Sequence, residues 1–127
     1  MSAWDGLNRR KFPRVNYPCL IVLRYDEGKK ESLLTHTDNV GVGGISAVIK
    51  KNLKVFSLVD VELDLMDLGA HIKCQGKVVW SIRRKNEDPA KPMFYDVGIE
   101  FVDVSAEDRA RVERVVVKLA KQIGVVP

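Results

Sequence analysis

Apolar and polar residues take turns along two stretches of this chain. Between residues 58 and 68, Val59, Val61, Leu63 and Leu65 alternate with Asp60, Glu62 and Asp64. Between residues 70 and 83, Ile72, Cys74, Gly76, Val78, Trp80 and Ile82 alternate with His71, Lys73, Gln75 and Lys77. A period of two is that of a strand with one wet and one buried face. Runs rich in β-formers at 17–25, 31–38 and 94–102 read as further strands, and so does the apolar run from Ile45 to Ile49. Asp26, Glu27 and Gly28 mark a turn, and Asn86, Asp88, Pro89 and Pro92 a polar loop over 84–93. After residue 104 the period changes. Ser105 with Asp108 comes close to a capping box, and Glu107 and Asp108 suit the positive end of a helix. Val112, Val115, Val116, Leu119 and Ile123 then form an apolar stripe that Gly124 stops. The pattern predicts a mainly β domain of about six antiparallel strands followed by one amphipathic helix. A sheet of this size closes into a barrel or packs as a sandwich, and the helix covers an opening or an edge.

With 127 residues, of which 46 % are hydrophobic and 30 % charged, the chain fits one folded domain and not a disordered tail. Cys19 and Cys74 form no C-x-x-C pair and have no neighbouring His at metal-ligand spacing, so they read as small buried residues in a reducing compartment. The first six residues have no apolar core, and no apolar run approaches the ~20 residues of a membrane span. The expectation is a cytoplasmic protein without membrane insertion. The net charge of +4 matters less than its placement. Arg9, Arg10, Lys11 and Arg14 put four cations into six residues with no acid among them. Pro13 keeps that cluster out of a helix. Residues 1–16 therefore read as a flexible basic N-terminal arm, 17–104 as the β-barrel and 105–124 as the C-terminal helix.

Three features could meet a ligand. The arm has the form R-x-x-x-R, from Arg10 to Arg14. A guanidinium is planar and always charged, and its donor fork fits both the O6/N7 edge of guanine and a phosphate. Four residues of extended chain separate the two arginines by at most about 14 Å, within reach of a base and a phosphate of one ligand. Taken alone, such a basic arm is more often a solvated end or a nonspecific polyanion contact. The second feature is Asn39-Val-Gly41-Val-Gly43-Gly44, where glycines permit close backbone approach; a tight turn without a ligand explains the same residues. It lacks the Lys-Ser/Thr ending of a phosphate-binding loop and does not lead into a helix. The third is Trp80, which either stacks a base or fills the core.

Taken together, the arm before the first strand, Asn39-x-Gly41-x-x-Gly44 between strands two and three, Lys-Val-Val-Trp80, Tyr-Asp-Val-Gly98-Ile-Glu-Phe101 and the final helix resemble the PilZ domain family across roughly residues 9–120. The family pattern is R-x-x-x-R followed by D/N-x-S-x-x-G. Arg10 and Arg14 match the first motif, and Asn39 and Gly44 the ends of the second. Gly41 stands where the pattern has Ser. Loss of one such hydrogen bond costs about 0.5–1.5 kcal/mol, a three- to tenfold weakening. The resemblance implies a six-stranded antiparallel barrel that binds cyclic di-GMP (c-di-GMP) on its surface. It implies that Arg10 and Arg14 grip guanine and phosphate, that Asn39 contacts a base, and that Gly41, Gly43 and Gly44 shape the turn against the ligand. A basic residue at the place of Arg9 goes with a stacked ligand dimer.

The functional expectation is a bacterial second-messenger sensor that orders its arm on c-di-GMP and signals to a downstream protein. The alternative is a degenerate adaptor of the same fold that has lost the nucleotide and acts by protein contact. A nucleic-acid-binding barrel ranks lowest, because only 7 % of residues are aromatic and no aromatic-basic stripe is visible. No catalytic motif, metal or cofactor is expected. Asp60, Glu62 and Asp64 read as a solvated strand face, and His36 and His71 as isolated histidines.

Overall fold

The computed structural model describes residues 14–26, 28–85 and 88–122. Its elements are β1 (Arg14–Val15), β2 (Leu20–Asp26), β3 (Lys30–Gly41), β4 (Gly44–Ile49), β5 (Leu58–Asp64), β6 (Ile72–Arg83), β7 (Tyr95–Phe101) and α1 (Ala106–Gln122). Six strands close on themselves in the order β3–β2–β5–β6–β7–β4 and back to β3, every pair antiparallel. Closure removes the open edges of a small sheet. β1 adds two residues beside β3, beyond the stretch that β2 covers.

Alternation places the core. Ile21, Leu23, Val59, Val61, Leu63, Ile72, Val78, Val97 and Ile99 fill the interior, each at most 2 % exposed. Ser105 caps α1 by accepting the Asp108 N–H at 3.1 Å. The helix turns Val112, Val116 and Ala120 into the core, with Val115 and Leu119 packed at its margin. It lies against β1 and β3. Arg111 fastens it to the β5–β6 connection, donating from Nη2 to both carboxylate oxygens of Asp67 at 2.9 and 3.1 Å. Ile123 and Gly124, expected to end the stripe and the helix, lie outside the described residues.

Four local features depart from the sequence pattern. First, β1 forms within the segment expected to be irregular, because Val15 is 1 % exposed and joins the core. Second, β5 stops at Asp64. The Asp64 carboxylate accepts the Met66 N–H at 2.9 Å and that of Asp67 accepts the Gly69 N–H at 3.0 Å, two side-chain-closed turns that override the alternation. Met66 and Leu68 adopt left-handed φ of 60° and 66° there. Third, β3 continues to Gly41, so Asn39 and Gly41 are strand residues, and only Val42 and Gly43 turn the chain. Fourth, β6 has a bulge: Val78 pairs with Ile99 and Trp80 with Gly98, leaving Val79 extra. A bulge reverses the facing of all that follows. Trp80 and Ile82 therefore leave the face of Val78, and Ile82 is 61 % exposed.

Candidate functional site

The register lines up four residues on the outside of the barrel. Val40, Ile45, Ile99 and Val78 oppose one another and point inward. Their outward neighbours pair in the same order, Asn39 with Ser46, Ser46 with Gly98, and Gly98 with Trp80. Directly opposed side chains on antiparallel strands stand about 4.5–5.5 Å apart. The row Asn39–Ser46–Gly98–Trp80 thus crosses β3, β4, β7 and β6 as one band.

The glycines of this face have separate reasons. A Cβ on Gly98 would lie 2.5 Å from Cδ2 and Cε2 of Trp80, so the indole rests flat on the bare backbone. Trp80 is half-buried there and is not part of the interior cluster. A Cβ on Gly44 would overlap the Ile99 carbonyl oxygen, which explains Gly44 by strand packing alone. Gly43 differs: a Cβ there meets nothing within 4 Å, and its carbonyl accepts the Phe101 N–H at 2.9 Å. Gly41 is buried and pairs with Gly44 on one side and with Arg14 on the other.

That last pairing joins two of the motifs. β1 sets the backbone of Arg14 opposite Gly41, at the end of the strand that carries Asn39. Arg9 and Arg10 lie outside the described residues. Asn39 is half-buried, and its Oδ1 is a buried acceptor with no hydrogen-bond partner among the described residues. An unpaired buried acceptor costs about 1–3 kcal/mol, so its presence in a native face needs an explanation.

Sequence reasoning missed Ser46. It is 3 % exposed although it points outward, and with Thr37 it makes up the two buried polar residues among those described. Thr37 serves the framework, because its hydroxyl donates to the Tyr17 carbonyl at 2.6 Å and accepts the Cys19 N–H at 2.9 Å. Only the strand pairing reveals Ser46, because the motif pattern ends at Gly44.

The remaining polar groups lie elsewhere. His71, expected to stand alone, sits between Glu62 at 2.8 Å and Asp64 at 3.5 Å. Its hydrogen bond and that of Arg24 hold the Glu62 carboxyl below the usual carboxylate range. This network decorates β2, β5 and the start of β6, not the glycine turn. Burial pushes the Cys19 thiol up to about 12 and the Cys74 thiol up to about 11, which leaves both without nucleophilic character. Among the described residues no group of three or more His, Cys, Asp or Glu could hold a metal ion, and no helix is long and apolar enough to cross a membrane.

A family model of the PilZ domain matches residues 8–118. The chain belongs to the PilZ family. A search of curated proteins finds no match. Solved PilZ-type structures share its fold. The inhibitor of motility MotI/DgrA from Bacillus subtilis superposes with a TM-score of 0.69 at 17 % identity, over 92 % of this chain and 52 % of its own. The PilZ domain of YcgR from Escherichia coli, solved with c-di-GMP, gives 0.66 at 15 % identity over 91 % of this chain and 94 % of its own. The complex of K. pneumonia MrkH with c-di-GMP gives 0.70 at 20 % identity over 91 % and 54 %. This PilZ chain thus spans about half the length of MotI and MrkH and nearly all of the isolated YcgR domain.

Proposed function

We propose that this PilZ domain is a cytoplasmic receptor for c-di-GMP, the ligand present in the YcgR and MrkH structures it resembles. It performs no reaction; its output is a change of arm conformation read by a partner protein. One observation carries the reading: β1 pairs Arg14 with Gly41 on the strand whose Asn39 has an unpartnered, buried Oδ1. An arginine arm and an orphan acceptor then face one ligand that carries both phosphates and guanine N–H donors. Arg10 and Arg14 grip guanine and phosphate, Arg9 adds charge for a second stacked ligand, Asn39 accepts from a base and Trp80 offers a flat surface. Gly41 and Gly43 let the ligand approach the backbone, while strand packing holds Gly44 as glycine. Ordering of the arm over this face is the signal.

Isothermal titration calorimetry with c-di-GMP tests this, with GMP and cyclic di-AMP as controls. Selective, saturable binding is expected, with tight binding lost in Arg10→Ala and Arg14→Ala while the barrel stays folded. Micromolar or better affinity in either variant overturns the arginine assignment. One observation favours a second reading, a PilZ adaptor that binds protein and not nucleotide: Gly41 replaces the pattern's Ser. Absence of heat at high ligand concentration selects that reading.

A further inference from the structure

We propose that Ser46 is a ligand-contacting residue of this site, acting side by side with Asn39 on one base; this rests on the receptor reading above. The family pattern stops at Gly44 and assigns Ser46 nothing. The barrel register, however, makes it the direct cross-strand neighbour of Asn39.

Three observations converge on the hydroxyl. It is placed outward, in the row that ends under the Trp80 ring, yet Ser46 is only 3 % exposed. No hydrogen bond holds its hydroxyl among the described residues, whereas the Thr37 hydroxyl is engaged by the framework, and the buried unpartnered atom of this row is Asn39 Oδ1. Two of its neighbours on the same face bear no side chain: Gly44 precedes it by two residues, and Gly98 opposes it on β7. Ser46 thus lies between the Asn39 amide and the indole lying on Gly98.

The pairing is chemically specific. Asn39 Oδ1 needs a donor, and the Ser46 hydroxyl can donate or accept. A purine edge with a donor beside an acceptor meets both at once; guanine has that edge, with N1–H next to O6. Gly41 and Ser46 lie on neighbouring strands one row apart, so Ser46 does not restore the missing motif hydroxyl in place. It supplies a different contact, to the base that Asn39 reads.

The test is a double-substitution cycle by calorimetry with c-di-GMP on the full chain, comparing wild type, Asn39→Ala, Ser46→Ala and the pair. Ser46→Ala is expected to weaken binding about two- to tenfold, with an unchanged urea midpoint. The combined loss should be smaller than the product of the single losses, because both groups serve one base. Wild-type binding with Ser46→Ala within twofold of it, or with fully multiplicative losses, overturns the role of Ser46 and leaves the receptor reading intact. No binding by the wild type overturns the receptor reading and this proposal with it.

Discussion

Alanine at Gly98 tests how Trp80 is seated. The Gly98 backbone is not in the left-handed region, where Gly28 is the described glycine at φ 95°, so alanine brings no φ penalty. By itself Gly→Ala stabilises by about 0.4–1 kcal/mol through the unfolded chain. The added Cβ, however, would stand 2.5–2.6 Å from three indole carbons, where 3.4–4 Å is ordinary contact. The ring must lift by roughly 1 Å or rotate away, and overpacking of this kind costs about 1–3 kcal/mol. The net expectation is a loss of about 0.5–2 kcal/mol. In a Trp80→Ala background the obstructing ring is gone, and the same substitution should stabilise by about 0.4–1 kcal/mol. Urea unfolding of the four proteins gives the coupling directly, expected at about 1–3 kcal/mol. Equal effects of Gly98→Ala in both backgrounds, within about 0.5 kcal/mol, would refute the flat seating of the indole on Gly98.

Two further outcomes follow from the buried and paired titratable groups. With thiols at about 12 and about 11, Cys19 and Cys74 are on the order of 10⁻⁴ and 10⁻³ thiolate at pH 8. Native protein should react slowly with a chromogenic disulfide, Cys74 before Cys19, and quickly in urea; rapid native reaction of Cys19 contradicts its burial. For Asp67, burial raises the pKa, but the Gly69 N–H and the Arg111 guanidinium outweigh it and hold the carboxyl below its ordinary 3.8. A lowered folded pKa means stability that is present above about pH 3.8 and lost as pH falls through the folded value. Arg111→Ala should therefore cost about 0.5–1 kcal/mol at pH 7 and less at pH 2. An equal loss at both would show that Arg111 acts by packing alone.

Where polar and apolar residues alternate without interruption, the chain's pattern and its fold agree: Val59, Val61 and Leu63 face in, Asp60 out. The helix stripe was legible for the same reason, with Val112 and Val116 fully buried. What periodicity cannot carry is a change of phase. The bulge at Val79 leaves no mark in composition, yet it moves Trp80 from the inner series to the outer row. The Asx turns at Asp64 and Asp67 compete with a pattern that otherwise runs on through Leu65. A two-residue strand is too short for any period, so β1 had no signal except the apolar Val15. Arg14, Asn39, Gly41, Gly43 and Gly44 could be put forward as candidates from motif spacing. Ser46 could not, because its place beside Asn39 depends on which strands pair and in what register.

The clamp that Thr37 makes on Tyr17 and Cys19 has a consequence for how such chains can vary in length. It fixes the path of the connection between β1 and β2, while successive positions of a strand face opposite ways. Residues 16–19 belong to no strand, so one residue added or removed there would break this clamp without shifting a register. The short span from Val15 to Cys19 is therefore held to its length by hydrogen bonds and not by strand pairing.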